Sequence, residues 1–342
     1  MQKEITSRTK LLDESGMLAV RGWARRNLFD YDRSLVKRRG RLKEWDFYQI
    51  SDGRIMVQIN FFNITIASAA TACVLDLETG ERHECASITL GTKRRYLLPE
   101  VSDRPNVFDY EKGGVKLRFE TTETSRHITF SGKAKGQPLT ADLTLSFEKD
   151  DENITIVTPF KGMPDRFFLT TKHNCMPCTG SVCAGGKTYT FAPTSAFGVL
   201  DWGRGVWPHK NVWYWGNGST YIDGKRFGFE ITWKIGDESA ATETCLFFDG
   251  KAHKIDAVDV EKFPGDGNAW MKPWHCTSSD GRFDVTMTPF FDNATGVIVL
   301  GELGMKTHQV HGLWNGFAVL DDGTRIEIKD MYAFCEYVVN AW

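Results

Sequence analysis

The chain has 342 residues, of which 41% are hydrophobic and 25% charged, the balance of a folded globular protein and not of a disordered one. Its 42 basic and 44 acidic residues leave a formal net charge of −2, too weak a field to argue for nucleic acid or an anionic membrane as a partner. The length suits two units of about 150 to 180 residues.

The opening residues, MQKEITSRTKLLDESG, hold no apolar segment followed by a cleavage site, and no apolar run reaches the ~18 residues of a membrane span. A cytoplasmic protein without stable membrane insertion is expected. The Asn-x-Ser/Thr matches at Asn63, Asn153, Asn217 and Asn293 then read as chance. A basic cluster over 21–43 is interleaved with Asp30, Asp32 and Glu44, which reads as a salt-bridged face. The best helical candidate is short, over 32–41.

Strand patterning dominates from there on. Leu139, Ala141, Leu143, Leu145 and Phe147 alternate with Thr140, Asp142, Thr144 and Ser146, the period of a half-buried strand. Similar runs lie at 55–66, 115–121, 127–131, 154–158, 212–222, 227–233, 242–248, 282–288, 308–320 and 326–339. Asp-Gly and Gly-Gly turns punctuate them, at Asp52-Gly53, Gly113-Gly114, Asp223-Gly224, Asp249-Gly250 and Asp322-Gly323. Many short strands joined by hairpins predict an all-β chain of antiparallel barrels or sandwiches. The Cys-, Pro- and Gly-rich segment 174–186 is the natural break, giving units 1–184 and 185–342.

That segment also holds the one cluster with ligand-like spacing, His173, Cys175, Cys178 and Cys183. Pro177 interrupts it and no second Cys-x-x-Cys follows, so free thiols are expected and no metal. No phosphate loop, HExxH, GxSxG or nicotinamide fingerprint is present, and no cofactor is expected.

Residues 201–215, DWGRGVWPHKNVWYW, are the densest candidate site. Four of the 11 tryptophans fall there, Trp202, Trp207, Trp213 and Trp215, interleaved with Asp201, Arg204, His209 and Lys210. Such a mixture suits an aromatic-walled pocket with a few polar groups inside. On an extended strand Trp213 and Trp215 share a face with Asn211 and Asn217, while Tyr214 takes the other. If the Trp face is the barrel interior, the rings box a ligand; otherwise they form an outer packing layer.

Four segments resemble the family described as domain of unknown function 2804: RGWAR at 21–25, RLKEWD at 41–46, VLDWGRGVWP at 199–208 with Trp213-Tyr214-Trp215, and HQVHG at 308–312. The Asp-Trp-Gly, Pro and Trp-x-Trp element is also similar to one in a wider lipocalin-like group that includes carotenoid 1,2-hydratases and tocopherol cyclase. That resemblance implies two lipocalin-like β halves and cofactor-free chemistry on long apolar substrates. Glu243-Thr244-Cys245 departs from the pattern where a Glu-Asn pair is expected.

The residues support catalytic candidates of their own. A buried Asp201 with its pKa raised could donate a proton, with Arg204 holding it or a substrate oxygen. Trp faces would stabilise the resulting carbocation. Structural pairing of Asp201 with Arg204 is the competing reading. His308 and His311, three apart, point to opposite faces of a strand, so each is a single acid–base candidate and not half of a metal site. Glu243 and Glu336 stand on apolar strand faces, where a glutamate needs a partner such as Arg25, Arg33 or Lys43. The expectation is an enzyme acting on a small lipophilic molecule, with Asp201, Arg204, His308 and Glu243 as catalytic candidates. Trp202, Trp207, Trp213, Tyr214, Trp215 and His311 are the substrate-binding candidates. A non-catalytic lipid or terpenoid carrier and a carbohydrate-active β protein are the alternatives.

Overall fold

A computed structural model describes residues 2–91, 95–261, 269–300 and 303–341. Strand makes up 66% of the chain and helix 2%, so the all-β expectation holds. The 32–41 segment forms only two 3-10 turns, Arg33–Leu35 and Arg39–Arg41. Gly40 and the lack of any apolar stripe leave no reason for a longer helix.

Among the described residues the first sheet has 13 strands and curls into a nearly closed barrel. Its edge strands are Arg82–Leu90 and Asn106–Lys112, and side chains bridge the seam between them. The Tyr110 hydroxyl lies 2.9 Å from Ser87 Oγ, and Lys112 Nζ donates to Thr89 Oγ1 at 2.9 Å. Alternate residues of each strand fill the interior, among them Tyr48, Ile50, Phe61, Leu117, Ile128, Leu143 and Trp202.

The second sheet has 9 strands among the described residues and makes a half-barrel. Its interior packs Tyr214, Phe227, Phe229, Phe283, Trp274 and Trp314. The chain passes from one sheet to the other between the strand Phe197–Val206 and the strand Lys210–Ile222. The segment 174–186 is therefore not a gap between strands. Met163–Ala184 is one continuous strand with a bulge between His173 and Met176, where Cys175 takes a φ of 56°. That bulge lets one strand pair with Ile154–Phe160 and Phe197–Val206 in its first half and with Gln137–Ser146 in its second. The local Cys/Gly/Pro composition reads as a linker only because a bulge and a loop use the same residues.

The two sheets pack outer face against outer face. Phe47 meets Trp215 with ring centroids 6.0 Å apart, Gln58 Nε2 donates to Gln309 Oε1 at 2.9 Å, and Asn174 Nδ2 donates to the Phe229 carbonyl at 3.0 Å. Where the sheets meet, the outward polar residues of the strands are thus buried against the other sheet, whereas away from the contact, as at Thr140, Asp142 and Ser146, they face water.

Candidate functional site

Residues 201–207 divide between two environments because a strand alternates its side chains. Trp202, Arg204 and Val206 point into the barrel. Asp201, Gly203, Gly205 and Trp207 take the opposite face, toward the second sheet. Gly203 is required there: a Cβ would lie 2.0 Å from the Trp45 ring. Trp45 uses that space to stack on Phe168 at 5.9 Å and to meet Trp207 edge-on at 5.3 Å.

Asp201 and Arg204 therefore do not meet. Arg204 is fully buried in the barrel, with Nη2 donating to Asp46 Oδ1 at 2.9 Å and Nη1 to the Trp45 carbonyl at 2.6 Å. Its guanidinium lies 4.0 Å over the Trp202 ring, and its Nε is 3.7 Å from Glu44. Burial nonetheless pushes the Asp46 carboxyl up, against the pull of Arg204. This arrangement anchors the barrel. Arg204→Met would leave Glu44 and Asp46 buried without it, and the expected loss in urea denaturation is about 3–5 kcal/mol. A loss under about 1 kcal/mol would return Arg204 to the catalytic candidates.

Asp201 instead faces Lys172, on the neighbouring strand. Lys172 Nζ is 2.7 Å from Asp201 Oδ1, 3.6 Å from Glu243 Oε1 and 4.4 Å from the Trp215 ring centroid. Glu230 and Glu336 complete the group, both acting electrostatically on or with Lys172. Glu230 accepts from Asn217 Nδ2 at 2.7 Å and from Trp215 Nε1. Glu336 accepts from Trp213 Nε1 at 3.3 Å and Gln309 Nε2 at 3.2 Å. One ammonium thus stands among four carboxylates. The carboxylates hold Lys172 protonated despite its burial. Burial raises Glu230 and Glu243, and raises Glu336 to about 7.

The other candidates scatter. Tyr214 lies inside the half-barrel, stacked on Trp233 at 4.2 Å, so the Trp213/Trp215 face is the layer between the sheets and not a barrel interior. Trp215 packs there with Val199 and Phe334, and Trp207 with Phe160 and Phe168. His308 faces the other way, its Nδ1 2.8 Å from Asp292 Oδ2 and its ring stacked on Trp270. His311 is in the layer, with Nδ1 2.9 Å from the Tyr332 hydroxyl, and burial pushes it down to about 3, leaving it neutral. Cys178 packs in the barrel core and Cys175 in a separate cluster with Ile154 and Phe247.

Lys172 and Glu230 are the site residues that sequence reasoning missed. Glu230 alternates with Phe229 and Ile231, and Lys172 with Leu169 and Thr171 beside it, a pattern that reads as a solvent face. Arg25 and Arg33 were the anticipated partners for the strand glutamates, but Arg25 pairs with Glu4 and Arg33 with Glu44. No local signal marks Lys172, whose immediate neighbours Thr170, Thr171, His173 and Asn174 are all polar.

A cavity of about 30 Å³, room for about one water, lies at the end of the layer lined by Gln49, Asn217, Ser219 and Tyr332. A second, of about 510 Å³, opens at the barrel mouth beside Arg33, Arg39, Glu44 and Glu100. Its Arg33 is engaged with both Glu44 and Glu100, so the inter-sheet layer is the stronger site.

A family model described as "Domain of unknown function (DUF2804)" matches residues 2–342. The chain belongs to that family. By sequence, no curated protein matches. Among solved structures, CghA with Sch210972 is similar at a TM-score of 0.57 and 13% identity, covering 88% of each chain, which places the two in one fold. Kievitone hydratase from Nectria haematococca is similar at a TM-score of 0.48 and 11% identity, covering 88% of this chain and 89% of that one.

Proposed function

We propose that the chain is a cofactor-free enzyme that protonates a lipophilic, isoprenoid-like or acyl substrate in the layer between its sheets, in a hydration, isomerisation or cyclisation. The observation that carries this reading is the single ammonium of Lys172 among four carboxylates out of bulk water. Four ionised carboxylates there would repel one another strongly, so part of the group keeps its protons near neutral pH. A carboxylic acid held protonated among aromatic side chains is what alkene or allylic protonation needs: a donor, and π surfaces nearby for the cation that forms. Glu336 fits the donor role best: it and Asp201 are the partly accessible members of the group, and of the two it is Glu336 whose carboxyl burial raises to about 7. Asp201 and Glu243 hold Lys172, and Lys172 sets the field around the donor. The lipocalin-like resemblance of residues 199–215 supports the lipophilic substrate class.

The test does not need the substrate in advance. Protein incubated in D2O with an organic extract of its own host should place deuterium on carbon in at least one compound, read by mass spectrometry. Labelling should vanish with Glu336→Gln. If no compound gains label over a heat-denatured control, the chain is not this enzyme, and saturable binding without labelling would make it a carrier.

A further inference from the structure

Beyond Glu336 the layer between the sheets opens. From the Gln58–Gln309 contact, the barrel side presents Phe47 and Asn60, then Trp45 and Phe62. The half-barrel side presents Trp213, Val338 and Thr307, then Asn340 and Met305. These positions follow Gln49, Gln58, Gln309 and Glu336 at even spacing, so they stand on the same two facing surfaces. The surfaces part in this direction: Trp215 is 4% exposed, but Met305 is 38% and its partner Val297 62% exposed. Trp45, Phe47, Phe62 and Trp213 are half-buried along the way.

The polar groups here are uncharged, unlike Lys172 and Glu243. Asn60 Oδ1, Thr307 Oγ1 and both side-chain amide atoms of Asn340 are buried without a hydrogen-bond partner. Asn340 is 1% exposed and Thr307 8%. Buried polar groups in folded proteins nearly always have partners. An unsatisfied buried group in a native structure calls for an explanation, and a bound molecule that completes it is one.

We propose that this end of the layer is a ligand cleft for an apolar chain bearing one carbonyl or hydroxyl oxygen. Trp45, Phe62 and Trp213 flank the chain, and the Asn340 amide with the Thr307 hydroxyl binds the oxygen. The inference rests on reading the layer as the active site, and it sets the reacting bond of the substrate beside Glu336, one step along the strands from Thr307.

Three probes of one skeleton separate the parts of the proposal: farnesene, farnesol and farnesal. Quenching of tryptophan fluorescence should saturate with the two oxygenated probes, which should bind at least tenfold more tightly than farnesene. Asn340→Leu and Thr307→Val should each erase most of that difference, whereas Trp45→Ala should weaken all three probes. Glu336→Gln should leave the affinities within about twofold, so a failure of labelling with binding intact tells against the acid and not against the cleft. Asn340→Leu should also leave the free protein as stable as, or more stable than, the parent, because it removes an unpaired buried amide. Equal binding of farnesene and farnesol, no saturable quenching by any probe, or a lower melting temperature for Asn340→Leu would each overturn the cleft.

Discussion

Lys172→Met is expected to cost on the order of 3–5 kcal/mol at pH 8, the usual penalty for breaking a buried ionic group by removing one partner. The reason is local. Without the ammonium, Asp201, Glu230, Glu243 and Glu336 remain together with nothing to oppose their charge. The loss should shrink toward pH 5. Burial raises Glu230, Glu243 and Glu336 in the folded state, so each contributes stability that is full below its unfolded value, near 4.5, and lost as pH rises through its folded value. For Glu336 that window runs from 4.5 to about 7. Urea denaturation at several pH values would show it as a variant whose deficit grows with pH. A deficit independent of pH would mean that Lys172 acts through packing of its stem, not through charge.

Glu336→Gln is expected to lower turnover by 10² or more once a substrate is in hand, since a positioned acid contributes about 10² to 10⁴. The parent rate should fall above pH 7, as Glu336 loses its proton near its value of about 7, and that limb should be missing in the variant. Asp201→Asn offers a second handle. The negative charge of Asp201 raises Glu336, so its removal should move the limb to lower pH. A merely structural Asp201 would change stability and leave the limb in place. At pH 8 Glu336→Gln should also raise the melting temperature, because an amide there carries no charge to bury.

The fold class was legible because it follows from local facts. Alternation such as Leu139 to Leu145 forces a half-buried strand, and Asp-Gly pairs at 223–224 and 249–250 sit in tight turns between strands. The odd spacing of Asp201 and Arg204 already implied opposite faces, and the structure puts one against Lys172 and the other against Asp46. Local patterns could not say which strands would become neighbours. Asp201 meets Lys172 because Phe197–Val206 pairs with a strand some thirty residues earlier, and hydrogen-bonding groups of the backbone pair without regard to side-chain identity.

The sequence alone determined an all-β chain, its alternating faces and the concentration of aromatic rings at 201–215. Only the tertiary structure decided what lies beyond each polar face. Alternation shows that Glu230, Lys172 and Gln309 stand opposite the apolar residues of their strands, and on an isolated sheet that means water. Here two sheets lay those faces against each other. The charges lose solvent, the carboxyls rise, and residues that read as a soluble surface become the buried group around Lys172.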